Sequence, residues 1–229
     1  MTRLETSVKR EFGRALLATL TLLTACAKVA GIEGAELDPG VAGTGGSSSV
    51  PDGGAACDSY CNLVMTACTD SNAQYSTRDV CMGVCSKLPA GTPQDVLQNT
   101  VGCRSNQARL AAQVGGSEAA ANCVAAGPGG NDVCGSNCNG YCQLLLNACK
   151  CQIFDQSCPA DFAYTFVSLD DCITKCKALA TVGDYNATQA GGNSINCRLY
   201  HVSAATVDPN THCLHAVGSA PAGQTPPCQ

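Results

Sequence analysis

Cys57-Asp-Ser-Tyr-Cys61-Asn-Leu-Val-Met-Thr-Ala-Cys68 and Cys138-Asn-Gly-Tyr-Cys142-Gln-Leu-Leu-Leu-Asn-Ala-Cys149 share a C-x3-C-x6-C spacing, 81 residues apart. On a helix turning about 100° per residue, the three cysteines of the first stretch point at about 0°, 40° and 20°, one narrow stripe. A second helix with its own stripe follows in each copy, carrying the C-x3-C pairs Cys81/Cys85 and Cys172/Cys176. Ser76-Thr-Arg-Asp79 and Ser168-Leu-Asp-Asp171 have the Ser-x-x-acid form of a helix start, with acid favoured at the positive end of the helix.

Working outward, Cys57, Cys61, Cys68, Cys81, Cys85, Cys103, Cys123 and Cys134 are matched in order by Cys138, Cys142, Cys149, Cys172, Cys176, Cys197, Cys213 and Cys228. Asn99-Thr-Val-Gly-Cys-Arg104 also matches Asn193-Ser-Ile-Asn-Cys-Arg198. The chain therefore reads as an internal repeat. An insertion in the second copy adds Cys151 and Cys158, giving sets of eight and ten that close as four and five bridges. The fold class that follows is mainly α, with two tandem small disulfide-stapled helical modules, 57–134 and 138–228, after a disordered tether.

Two antiparallel helices would set their stripes face to face, so cross-helix bridges such as Cys68 to Cys81 and Cys61 to Cys85 are the geometric expectation. Eight cysteines nevertheless allow 105 pairings. A third helix is expected to carry Cys103 or Cys197. The breaker-rich tails around Ala126-Gly-Pro-Gly-Gly130 and Gly218–Pro227 read as loops pinned back by Cys134 and Cys228. Tyr60 and Tyr141, each just before the second cysteine of its copy, read as packing over the disulfide layer.

Composition agrees with this reading. Nineteen cysteines are about 8% of 229 residues, and there are no Trp and only four Phe, so covalent staples must supply what large apolar side chains do not. Such cysteine usage belongs to an oxidising compartment. The formal charge is −5, and beyond residue 25 nine basic against sixteen acidic side chains leave −7. A nucleic-acid partner, which needs a basic footprint, is thereby argued against.

Residues 1–25 read as an export signal: Arg3, Lys9, Arg10 and Arg14 are followed by the apolar run Ala15–Ala25, too short to span a bilayer. Leu23-Thr24-Ala25-Cys26 resembles the lipobox of bacterial lipoproteins, and that resemblance implies cleavage before Cys26 and lipidation of its thiol. The alternative is an ordinary secretory signal. Removing Cys26 leaves eighteen cysteines, an even number that can pair completely. Residues 26–56 then form a lipidated tether rich in Gly, Ser and Ala, and Ala27 at the position after the lipid cysteine implies outer-membrane sorting.

Together with Cys-Arg-x-x-His at Cys197–His201 and His-Cys-x-His-Ala at His212–Ala216, the whole pattern resembles a group of cysteine-rich outer-membrane lipoproteins of myxobacteria with no assigned activity. In the first copy Gln107, Asn122 and Ala125 stand where the second has His201, His212 and His215, the only histidines of the chain. Three imidazoles can ligate zinc or copper, while histidines in such places also cap helices or bond to backbone carbonyls. A cysteine-metal reading has Cys149-Lys-Cys151 in its favour, but exported thiols are normally oxidised. Redox C-x-x-C, haem C-x-x-C-H, phosphate-loop, Gly-x-Ser-x-Gly and His-Glu-x-x-His signatures do not occur.

The expectation is a lipid-anchored, disulfide-rich protein of the bacterial cell envelope, attached to the outer membrane through Cys26. It acts as a non-catalytic scaffold or interaction module, without a cofactor, and its protein or glycan partner is left open. The alternative is a periplasmic metal-binding protein using His201, His212 and His215.

Overall fold

The computed structural model describes residues 53–150 and 166–229, which belong to one compact unit, Ser47–Gln229. The expected signal, Cys26 and nearly all of the tether lie outside the described residues, as do Cys151 and Cys158. Among the described residues the chain is helical: α1 Gly53–Ala67, a 3-10 turn Asp70–Asn72, α2 Arg78–Lys87, α3 Val101–Val114, α4 Glu118–Ala126, α5 Asn137–Ala148, α6 Leu169–Cys176, α7 Ile195–Ala205 and α8 Pro209–Ala216. The mainly α, disulfide-stapled fold class is what is found. α1 starts at Gly53, so residues 53–56, assigned by composition to the tether, are helical.

Short side-chain acceptors start these helices. Thr77, Thr100, Ser136, Ser168, Ser194 and Asp208 each accept a hydrogen bond from the backbone N–H three residues on, satisfying a donor the helix leaves open. Ser168 is the cap read from sequence, but in the first half the cap is Thr77 rather than Ser76. Thr77 and Ser168 stand four residues before Cys81 and Cys172, so the sulfur stripe and not the Ser-x-x-acid pattern sets the start.

Eight disulfides join the described cysteines, and the pairing order is the same in the two halves. Cys57–Cys85, Cys61–Cys81, Cys68–Cys123 and Cys103–Cys134 correspond to Cys138–Cys176, Cys142–Cys172, Cys149–Cys213 and Cys197–Cys228. This corrects the expected Cys68–Cys81 and Cys61–Cys85. Two bridges between antiparallel helices need equal spacing on both, and Cys57/Cys61 and Cys81/Cys85 are each four residues apart. Cys61 and Cys68 are separated by seven, about 10 Å of rise against about 6 Å on α2. Cys68 therefore passes α2 and reaches α4. The third helices do carry Cys103 and Cys197, and the tails are pinned through Cys134 and Cys228.

Six of the eight bridges belong to the core, together with Tyr60, Val64, Val84, Tyr141, Leu144, Leu145, Leu199 and Val202, and Cys103–Cys134 and Cys197–Cys228 lie beside it. Tyr60 and Tyr141 are buried, and each hydroxyl donates to the last carbonyl of its fourth helix, Ala126 O at 2.5 Å and Ala216 O at 2.9 Å. Burial raises the pKa of both phenols, so they stay protonated donors. The two halves share this core: Ala187 N–H donates to Ala73 O at 2.7 Å and Asn147 Nδ2 to Lys87 O at 2.7 Å. A Cβ on Gly83 of α2 would run into the Thr206 hydroxyl at the end of α7.

Arg104, fully buried, holds the breaker-rich loop after α4. Its guanidinium donates to Gly127 O (2.9 Å), Thr100 O (3.2 Å), Asn99 Oδ1 (2.8 Å) and Pro128 O (3.0 Å). Arg198, its half-buried counterpart, donates to Asn193 Oδ1 and Cys228 O. In both halves an arginine next to the third-helix cysteine ties down the segment that the cysteine also bridges.

Two measurements check this architecture. Proteolysis without reduction followed by mass spectrometry is expected to recover Cys68 linked to Cys123, and a Cys68–Cys81 peptide would contradict the register. Arg104→Leu strands several buried carbonyls and is expected to cost roughly 3 kcal/mol or more, lowering the thermal midpoint by about 6 °C or more, with a smaller loss for Arg198→Leu.

Candidate metal centre

The three histidines occupy two helices that the disulfides hold together. His201 lies one turn after Cys197 on α7, so its side chain projects from the face that carries the Cys197–Cys228 bridge. His212 and His215 flank Cys213 on α8, three residues apart and on neighbouring positions of one face. Cys213 is bridged to Cys149 at the end of α5, which fixes α8 against the core. Pro209 at the first turn and the Asp208 cap fix where α8 begins.

The rings converge. Centroids are 5.3 Å apart for His201 and His212, 5.0 Å for His201 and His215, and 5.9 Å for His212 and His215. Each ring offers one nitrogen, and the three nitrogens lie within 4.8 Å of one another. His201 Nδ1 is 3.0 Å from His212 Nδ1, and His201 Nε2 is 3.0 Å from Ala190 O. A carbonyl only accepts, so Nε2 of a neutral His201 carries the proton and its Nδ1 presents a lone pair. In the 3.0 Å contact between the two Nδ1 atoms, His212 Nδ1–H is then the donor. His215 Nδ1 is buried and has no hydrogen-bond partner among the described residues.

His201 is 5% exposed, and burial, reinforced by the neighbouring imidazoles, lowers its pKa to about 4 against a partial offset from the Ala190 carbonyl. His212 is also shifted down, first by burial, with the Asp208 carboxylate opposing. Tyr200 packs edge-on against the His201 ring at 5.1 Å. Both shifts favour the neutral ring at His201 and His212, the protonation state in which an imidazole acts as ligand or base.

All three histidines singled out in the sequence meet in one place. Cys197 and Cys228 also come close to His201, but their sulfurs are spent on each other in a disulfide. The parts of the site that residue types do not reveal are the Ala190 carbonyl, supplied by the loop between α6 and α7, and the Tyr200 ring. A backbone carbonyl has no signature in sequence, while Tyr200 is betrayed only by adjacency to His201.

The lowered pKa sets the sign of a pH effect. Between pH 6.5 and about 4 the unfolded chain binds a proton at position 201 that the folded chain refuses, so stability is full above 6.5 and declines as pH falls through this window. His201→Gln, which installs the residue found at position 107, is expected to flatten the melting-temperature profile by at least about 2 °C over that window relative to wild type. An identical slope in the two proteins would contradict the assignment.

Residues 53–139 match the BfoA family C-terminal domain, a stretch that runs from the start of α1 into the first turn of α5. Neither a curated protein nor a solved structure matches the chain. The similarity thus lies on the first half, and the half that carries the histidines is outside nearly all of it.

Proposed function

We propose that this chain is a lipid-anchored protein of the bacterial cell envelope, held at the outer membrane through Cys26, whose stapled helical body serves as a non-catalytic scaffold or interaction module. The observation that carries the reading is the set of eight bridges among the described residues, six of which belong to the core. A fold stapled this way belongs outside the reducing cytosol.

The anchor rests on the lipobox-like Leu23-Thr24-Ala25-Cys26 and on cysteine parity after it. Among the described residues no helix is long and apolar enough to cross a membrane, and an acyl group on Cys26 would supply a membrane attachment. The resemblance to myxobacterial cysteine-rich lipoproteins favours the outer membrane. A scaffold is favoured over an enzyme because Tyr60 and Tyr141, and Arg104 and Arg198, which recur between the halves, spend their polar groups on backbone carbonyls of the fold. A protein or glycan is the class of partner such a surface-tethered module would meet.

Expression in a bacterial envelope tests this. The mature chain is expected to begin at an acylated Cys26 by mass spectrometry, with no thiol alkylated under denaturing, non-reducing conditions. Cys26→Ser is expected to move the protein from the membrane to the soluble fraction with its bridges intact. A wild-type chain that is soluble and unacylated would overturn the anchor.

A further inference from the structure

We infer that His201, His212 and His215 form a transition-metal site that takes one borderline divalent ion, zinc or copper, between α7 and α8. This goes beyond the scaffold reading, which needs no ion.

The donor set decides the class of ligand. Three imidazole nitrogens without a participating carboxylate suit zinc or copper, and are poor partners for calcium or magnesium, which require oxygen. For a tetrahedral ion with metal–nitrogen bonds of 2.0–2.1 Å, ligand nitrogens stand about 3.3 Å apart. His201 Nδ1 and His212 Nδ1 are at 3.0 Å and the third nitrogen is within 4.8 Å, so side-chain torsions suffice to close the triangle. Three protein ligands leave a fourth position for water or another small ligand.

The surroundings match a site already held in shape. The Ala190 carbonyl takes the Nε2 proton of His201, orients the ring and leaves Nδ1 as the donor, the arrangement by which outer-shell acceptors fix metal-bound imidazoles. His215 Nδ1 is a buried polar atom that no described residue hydrogen-bonds, so its desolvation is not repaid among them. The disulfides Cys149–Cys213 and Cys197–Cys228 fix the two helices in advance, so an ion orders few additional side chains.

The first half argues that these histidines are not needed for folding. It has the same bridges and helix order, yet carries Gln107, Asn122 and Ala125 at the matching places. All three ligand positions are therefore replaceable by residues the same framework already accommodates.

The test uses the exported chain, purified without an affinity tag from an oxidising compartment, stripped with chelator and titrated with Zn(II) or Cu(II). Wild type is expected to retain one equivalent after gel filtration, to melt higher with the ion, and with Cu(II) to show nitrogen hyperfine coupling by electron paramagnetic resonance. The variant His212→Asn/His215→Ala is expected to keep its disulfides and helical circular dichroism while losing the equivalent. His201→Gln alone is expected to weaken binding about tenfold or more, since loss of even an outer-shell partner has that effect. Ca(II) is expected to leave the melting temperature unchanged. A wild type that retains no ion, or a folded double variant that retains as much as wild type, would overturn the site; either result leaves the anchor and scaffold reading to its own test.

Discussion

Everything in this fold depends on two cysteine pairs of equal spacing meeting across antiparallel helices. Cys57 and Cys61 on α1 face Cys85 and Cys81 on α2, and Cys138 and Cys142 on α5 face Cys176 and Cys172 on α6. Two bridges one turn apart fix axial register and rotation together, which a single bridge does not. With that pair locked, the cysteine seven residues further on can only look past the second helix. It finds the fourth helix instead, closing each half.

The framework explains why a chain so poor in large apolar residues has a core. Disulfides restrict the unfolded chain, each by roughly 3 to 4 kcal/mol for loops of this length, and their sulfurs also fill the interior. Around that layer the remaining polar groups are placed with care: two tyrosines close the fourth helices, and two arginines tether the loops that follow α4 and α8. Such burial of a guanidinium is tolerated where it is saturated with acceptors, as the four carbonyl oxygens around Arg104 provide.

On this framework the histidine cluster is an addition and not a support. α7 and α8 are tied to the rest of the fold through Cys197, Cys213 and the Tyr141 hydroxyl, none of which involves an imidazole. Three imidazole rings gathered within a few ångströms, one with a buried nitrogen that no described residue satisfies, are what an architecture can carry when stability has been supplied by covalent bonds.

The sequence by itself determined the helical class, the first three cysteine-bearing helices of each copy and the three histidines of interest, because those are set by local spacing; it did not show the fourth helices that carry Cys123 and Cys213. A stripe of sulfurs at helical period is visible without a fold, and so is the substitution of Gln107, Asn122 and Ala125 by histidines in the second half. It did not yield the pairing, where the Cys61–Cys85 and Cys68–Cys81 expectation was off by one step, nor the cap at Thr77. Those depend on how far two helices slide along each other, a property of the pair that neither segment contains alone. Tertiary structure alone also decided that the two halves share one core and that Ala190 O orients His201, because backbone carbonyls and inter-half contacts follow from the packed chain and leave no mark in residue type.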